Sequence, residues 1–350
     1  MIRNLLVFSL LLSSLMAHAQ VGGRGVYSFL DLTYSGRTSS LGGDIVSLFD
    51  NDVQLVQHNP AAINYIENGA IGLNYVNYIA DINFTQINFV PNTINVKGKS
   101  LGNLGFTMNY LDYGDFFEYN EFGQQLGEFG ASDWVATVNY GVQLDSMFAL
   151  GVSYLNIISN YYTFQSWGMG LDIGASYFNP NNLFGMGMVL NNIGGQITSY
   201  NNLKEPLPFE VMFGLTKKLA HAPFQLSFTF HDLQQLDIWY QDQINPPQTV
   251  DPLTGEAIKQ KKYVGQKVLR HINFGVEFVP SDNFNLRFGY NYQRQQELMI
   301  ANKKGMTGFS FGAGIRIKKF MLDYGHAIYH LAGSTNTLTI STNLNHFIKK

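Results

Sequence analysis

The sequence predicts an all-β fold: a transmembrane antiparallel β-barrel of about fourteen strands, with an N-terminal plug of short helices in its lumen. Three observations carry that expectation. Only 13% of the 350 residues are charged, whereas aromatics reach 14%, and glycine and asparagine number 35 and 33; soluble domains average about 25% charged. From Ala70 to the C-terminus, apolar residues alternate with small or polar ones at period two, the mark of strands with one apolar face. From the fourth strand onward the links then sort by parity, tight ones alternating with longer ones, as in single-chain outer-membrane barrels.

Residues 1–19 read as a secretory signal peptide. Arg3 supplies the positive start, Leu5 to Met16 an apolar stretch, and Ala17-His18-Ala19 a cleavage site before Gln20. The stretch falls short of the roughly 20 apolar residues of a spanning helix. A net charge of −3 removes the electrostatic footprint of a nucleic-acid binder. The absence of cysteine excludes a disulfide framework, a thiolate metal site and a lipoprotein anchor.

Residues 20–69 break the alternation and read as a plug or hatch segment. Val26 to Leu32 is open between an extended and a helical piece. Gly42 and Gly43 signal a turn, Ile45, Leu48, Phe49, Val53 and Val56 recur at helix-like spacing over 44–56, and Asn59-Pro60 starts a further turn or helix. Without such a filling, a fourteen-strand barrel would enclose an aqueous bore.

Residues 70–350 form the barrel. Its strands are expected near 70–78, 81–90, 101–111, 131–142, 147–157, 166–178, 183–192, 207–217, 223–231, 269–279, 284–294, 306–317, 319–330 and 335–348. The segment 284–293 shows the pattern: Phe284, Leu286, Phe288, Tyr290 and Tyr292 alternate with Asn285, Arg287, Gly289, Asn291 and Gln293. In a membrane barrel the apolar set faces lipid and the small or polar set faces the lumen. With an even strand number, the tight links fall on the rim that carries both termini. Both termini are therefore expected in the periplasm of a Gram-negative cell, and the long links, above all 232–268, outside.

The block Tyr27-Ser28-Phe29-Leu30-Asp31-Leu32, Arg37-Thr38-Ser39-Ser40-Leu41-Gly42-Gly43 and Leu55-Val56-Gln57-His58-Asn59-Pro60-Ala61 resembles the PorQ family of the type IX secretion system of Bacteroidetes, as does the run from Leu73 to Asn83. More loosely, the chain is similar to the FadL-like family, in which a hatch bearing Asn-Pro-Ala plugs a fourteen-strand barrel. The first resemblance implies a non-enzymatic subunit of a surface attachment complex with PorZ, PorU and PorV type components, serving export and anchoring of cargo with C-terminal sorting domains. It implies Leu41, Gly42, Gly43, Asn59, Pro60 and Ala61 as the plug motif. The second implies a transporter of small hydrophobic molecules, for which Tyr113, Phe116, Phe117, Tyr119, Tyr161, Tyr162 and Phe164 are candidate pocket aromatics. A soluble secreted β-protein is the third alternative.

Two sets of charged residues are candidate sites. Glu277 and Arg287 fall on the polar faces of successive strands and nearly oppose each other, and Arg316 and Asp323 are diagonal neighbours across the Lys318 turn. Both are expected as structural lumen ion pairs, so Arg287→Ala is expected to loosen the plug. Lys259, Lys261, Lys262, Lys267 and Arg270 cluster in the longest link and could meet lipopolysaccharide phosphates or an acidic partner. No catalytic motif is present. His326 and His330, four apart on a strand, lie about 13 Å from each other and do not make a metal site. No cofactor is expected.

Overall fold

The structure, a computed structural model, describes residues 26–91, 95–96, 99–100, 102–200, 203–238, 264–299, 305–331 and 333–348. The signal segment 1–19 lies outside them. Fourteen strands form one closed antiparallel barrel: β1 (Ala70–Asn77), β2 (Asn83–Val90), β3 (Asn103–Tyr119), β4 (Gln125–Gln143), β5 (Phe148–Tyr161), β6 (Phe164–Asn179), β7 (Phe184–Thr198), β8 (Glu210–Lys218), β9 (Phe224–Phe230), β10 (Ile272–Ser281), β11 (Phe284–Asn291), β12 (Phe309–Ile317), β13 (Phe320–His330) and β14 (Gly333–Asn343). Each pairs with its sequence neighbours, and β1 closes the ring on β14 with Leu73 opposite Ile340. Closure leaves no open sheet edge within the wall, the condition for strands to cross hydrocarbon.

Alternation decides which face is which. Leu73, Phe106, Val152, Leu171, Leu286 and Leu338 stand exposed on the outside, whereas Asn74, Thr107, Ser153, Asp172, Arg287 and Thr337 are buried on the inside. An exposed apolar belt around a polar interior is the inverse of a soluble sandwich and suits lipid outside. Among the described residues no helix is long and apolar enough to cross a membrane. The inner amides pair with one another: Gln86 donates to Asn109 (2.9 Å), Thr107 to Asn88 (2.7 Å) and Ser153 to Asn139 (2.6 Å). This lining accounts for part of the chain's asparagine.

Three expectations need correction. Strands β3 to β7 run past the predicted limits, so that 158–165 is mostly ladder, from Ile158↔Trp167 to Tyr161↔Phe164, and not a loop. Strand β11 ends at Asn291 rather than 294, because the Asn291 side chain accepts from the Arg294 N–H and caps a helix over Tyr292–Leu298. The spacing over 44–56 yields no helix beyond the 3-10 turn Val53–Gln57. That segment instead lays its backbone along the wall.

Residues 26–69 fill the lumen with short elements: 3-10 turns Ser28–Asp31, Val53–Gln57 and Pro60–Tyr65, and one helical turn Gly36–Ser40. Their apolar side chains pack on inward wall residues, as Tyr27, Phe29 and Tyr34 do on Phe84, Val135 and Leu155. The backbone comes closer still. A Cβ added at Gly187 would lie 1.8 Å from the Val46 carbonyl oxygen, at Gly289 2.1 Å from the Gly42 nitrogen, and at Gly151 2.2 Å from the Pro60 carbonyl carbon. Inward glycines are therefore where plug backbone meets wall backbone.

Candidate functional site

The helical turn Gly36–Ser40 begins at Ser35, whose hydroxyl accepts from the Arg37 N–H, and it is seated against β12, β13 and β14. It aims Arg37 at the wall. Arg37 Nε and Nη2 donate to Glu277 Oε1 (3.0 Å) and Oε2 (2.9 Å), a forked grip. Its remaining hydrogens go to Asp50 (2.8 and 3.0 Å) and Asp52 (3.2 Å) of the plug itself. On the wall, Arg287 Nε donates to Glu277 Oε1 at 2.7 Å and Nη1 to Asp323 Oδ1 at 2.6 Å. Two guanidinium groups and four carboxylates thus form one chain from plug to three strands. Burial would drag the Arg37 pKa down, but Asp50 and Glu277 reverse this and hold it charged, above the usual arginine range. Burial pushes the Asp52 carboxyl up, with Arg37 opposing.

Of the two expected lumen pairs, Glu277 and Arg287 face each other in register across β10 and β11. Arg316 and Asp323 do not pair. Asp323 turns to Arg287, while Arg316, diagonal to it on β12, stands exposed at the rim near the turn. The buried carboxylate takes the buried guanidinium, since an unpaired charge costs more inside than at the wet rim.

The plug motif residues all touch wall or cap plug. Leu41 is buried against Gly275 and Gly289, and Gly42 takes φ +101°, a conformation that side chains resist. The Gly42 carbonyl accepts from Arg294 at 3.3 Å; a Cβ on Gly43, at φ +131°, would stand 3.6 Å from the same guanidinium. Asn59 caps Pro60–Tyr65 by accepting from the Ala61 N–H (3.0 Å), and donates to the carbonyls of Val46 (2.8 Å) and Ala175 (3.2 Å). Pro60 occupies the first helical position, where its missing N–H costs nothing, and Ala61 is fully buried. Asn59→Ala is expected to lower plug stability by about 1–2 kcal/mol. Hydrogen exchange of the amides of 61–65 checks this; unchanged protection would refute the capping role.

The loop candidates fare differently. Lys259, Lys261 and Lys262 lie outside the described residues. Lys267 pairs with Asp237 at 2.8 Å. Arg270 is not a surface contact: it ends the helix Val264–Arg270 and is buried, because that helix packs against the helix Tyr292–Leu298. The aromatics proposed for one pocket also separate. Tyr113 and Tyr161 point inward and donate to the buried Asp133 at 2.6 and 2.8 Å, whereas Phe116, Phe117, Tyr119, Tyr162 and Phe164 are exposed.

Sequence reasoning missed Arg37, Asp50 and Asp52. The signal available was Arg37 itself, an arginine among small residues in a segment read as lumenal, which demands a buried carboxylate. Among the described residues, Glu210, His231 and Asp232 bring three metal-ligand atoms within 4.8 Å. Hydrogen bonds from His231 and Gln234 to the Asp232 carboxylate account for that grouping without an ion. A cavity of about 40 Å³ remains between plug and wall, and only Leu30, Val135 and Leu155 of its twelve lining residues are apolar.

No family model matches the chain, and no curated protein matches it. Solved structures do. A deltaS2 mutant of the TodX monoaromatic hydrocarbon channel superposes with a TM-score of 0.51 at 14% identity, covering 89% of this chain and 97% of that one. The toluene transporter TodX of Pseudomonas putida gives 0.49 at 11% identity (89% and 96% covered), and a FadL homologue of Pseudomonas aeruginosa 0.47 at 9% (89% and 98%). At these identities the likeness is one of fold alone: a closed fourteen-strand antiparallel barrel.

Proposed function

We propose that this protein is a sealed outer-membrane barrel that docks a partner at the cell surface, as a subunit of a type IX attachment complex. The observation that carries the reading is the latch: Arg37 ties the plug to Glu277 across the lumen, and plug backbone rests directly on wall glycines. Such a lumen is built to stay closed. Of the links expected to be long, 193–206, 232–268 and 295–305 leave from the rim opposite Ala70 and Asn343, which supports periplasmic termini and an outer docking face. The resemblance of 27–32, 37–43 and 55–61 supports the type IX assignment and PorZ, PorU and PorV type partners. Outer-membrane lipid surrounds the apolar belt, and the loop cations would meet lipopolysaccharide.

The fold shared with a monoaromatic hydrocarbon channel favours a second reading, a transporter of small hydrophobic molecules. Against it stands the polar lining of the lumenal cavity, which offers such a molecule little apolar contact. The two readings separate in one experiment. The tagged protein, expressed from its chromosomal locus, is isolated in detergent and also reconstituted in liposomes with labelled oleate or toluene. Co-isolation of a surface-attachment protein with no uptake is the expected result. A barrel that comes out alone and carries either probe across overturns the docking role and leaves the transporter.

A further inference from the structure

Strands β3 and β4 outrun their neighbours. β2 follows β3 only to Asn83↔Asp112, and β5 follows β4 only to Tyr161↔Ala131, yet β3 and β4 stay paired from Asp115↔Gly130 to Tyr119↔Gln125. A two-stranded ribbon therefore stands off the rim away from the termini. Among the described residues, no strand pairs with the outer edge of 113–119. Natural edges are blunted with lysine, proline or a covering element. This one carries none of these among the described residues, only ladder irregularities at Asp112/Asp115 and Glu118/Tyr119: residues 112–130 hold Asp112, Asp115, Glu118, Glu121 and Glu128 and no lysine or arginine.

The ribbon's aromatics divide by face. Phe116 stacks on Phe129 with ring centroids 5.4 Å apart, and Phe129 meets Tyr162 at 4.9 Å, which braces one face on the β5–β6 turn. Phe117 and Tyr119 alternate to the other face, in edge contact at 6.5 Å, and are 52% and 57% exposed; Phe122 at the tip is 86% exposed. Exposed rings beside uncompensated carboxylates on a free strand edge suit one kind of occupant.

We propose that the ribbon is the docking strand for an extended, lysine- or arginine-rich segment of a partner protein, which adds to the edge of 113–119. Main-chain hydrogen bonds would give the affinity. Basic side chains of that segment would meet Asp115, Glu118, Glu121 and Glu128 and lie over Phe117 and Tyr119. Five carboxylates disfavour the phosphates of lipopolysaccharide as the occupant. The inference deepens the docking reading and rests on it and on its orientation.

The test places photo-reactive benzoylphenylalanine at position 117 of the full-length chain in cells, with the lipid-facing position 286 as control. The expected result is a protein cross-link at 117 whose attached peptide carries net positive charge. Its yield should fall roughly tenfold or more in Asp115→Lys/Glu118→Lys/Glu121→Lys, while heat-modifiable migration of the barrel stays unchanged. A cross-link to lipopolysaccharide, or one to protein that ignores charge reversal, overturns the proposal. Co-isolation of a partner that survives the charge reversal refutes the ribbon alone and leaves the docking reading standing. A wild-type barrel that neither cross-links to nor co-isolates with any protein refutes both.

Discussion

Replacing Arg37 by alanine is expected to undock the plug. The side chain is 11% exposed and, among the described residues, is the one cation between Asp50, Asp52 and Glu277 on the plug side of the latch. Its removal leaves Asp52 buried without a counter-charge and Glu277 with Arg287 alone; Asp50, 45% exposed, is relieved by water. Breaking a buried ion pair from one side costs about 3–5 kcal/mol, equivalent to roughly two to four decades in the undocked population. Chymotrypsin cleavage within 26–69 of the detergent-solubilised protein, at rings such as Tyr27, Phe29 and Tyr34, should accelerate, and planar-bilayer traces should show openings absent from the wild type. Arg37→Lys should fall between, since it keeps the charge but not the forked geometry on Glu277. Removing the stranded partner as well, as in Arg37→Met with Asp52→Asn, should recover part of the loss, because no carboxylate at 52 then lacks its cation while Glu277 keeps Arg287. Equal chymotrypsin protection in wild type and Arg37→Ala would rule the latch out.

Alanine at Gly187 and Gly289 together should give a barrel that folds but cannot seat its plug. The new methyl groups would stand 1.8 Å from the Val46 carbonyl oxygen and 2.1 Å from the Gly42 nitrogen. Backbone atoms cannot rotate away as a side-chain tip can. Overpacking costs about 1–3 kcal/mol per site, and the two sites, on β7 and β11, should add to about 2–6 kcal/mol. The wall itself should not suffer, since alanine loses less backbone freedom than glycine in a strand. Heat-modifiable migration should therefore persist while the plug becomes protease-sensitive. Gly130→Ala is the control, because a Cβ there meets nothing within 4 Å. Loss of the barrel itself in the double variant would show that these glycines serve strand formation instead.

How much of this was legible in the chain can be followed residue by residue. Glu277 and Arg287 were readable as opposing charges because the link between them, 282–283, is short and hairpin register follows from turn length. Asp323 was readable as lumenal but not as the partner of Arg287, since that choice depends on where β11 and β13 both stand relative to β12. The ribbon was misread as loop because 113–130 mixes rings, acids and glycines, and alternation does not tell whether a third strand lies alongside. The stretch 44–56 failed in the opposite way: its apolar spacing matched a helix, but contact with wall backbone at Gly185 and Gly187 holds the chain open.

Strand number, the face each residue presents and the existence of a separate N-terminal segment follow from the order of residues alone. All of them depend on period-two alternation and on turns of a few residues, which are local. The sorting of links by rim does not follow, since the outer link between Tyr161 and Phe164 is tight and the terminus-side link between Val90 and Asn103 is long. Tertiary structure alone decided the rest: that Arg37 closes on Glu277, 240 positions away, that plug backbone and wall glycine meet, that Arg270 is buried, and that β3 and β4 stand clear of the rim. The physical reason is the burial of charge and of backbone in a closed lumen. Which carboxylate an arginine takes, and which glycine a carbonyl rests on, is set by close packing between distant segments, and no local period encodes it.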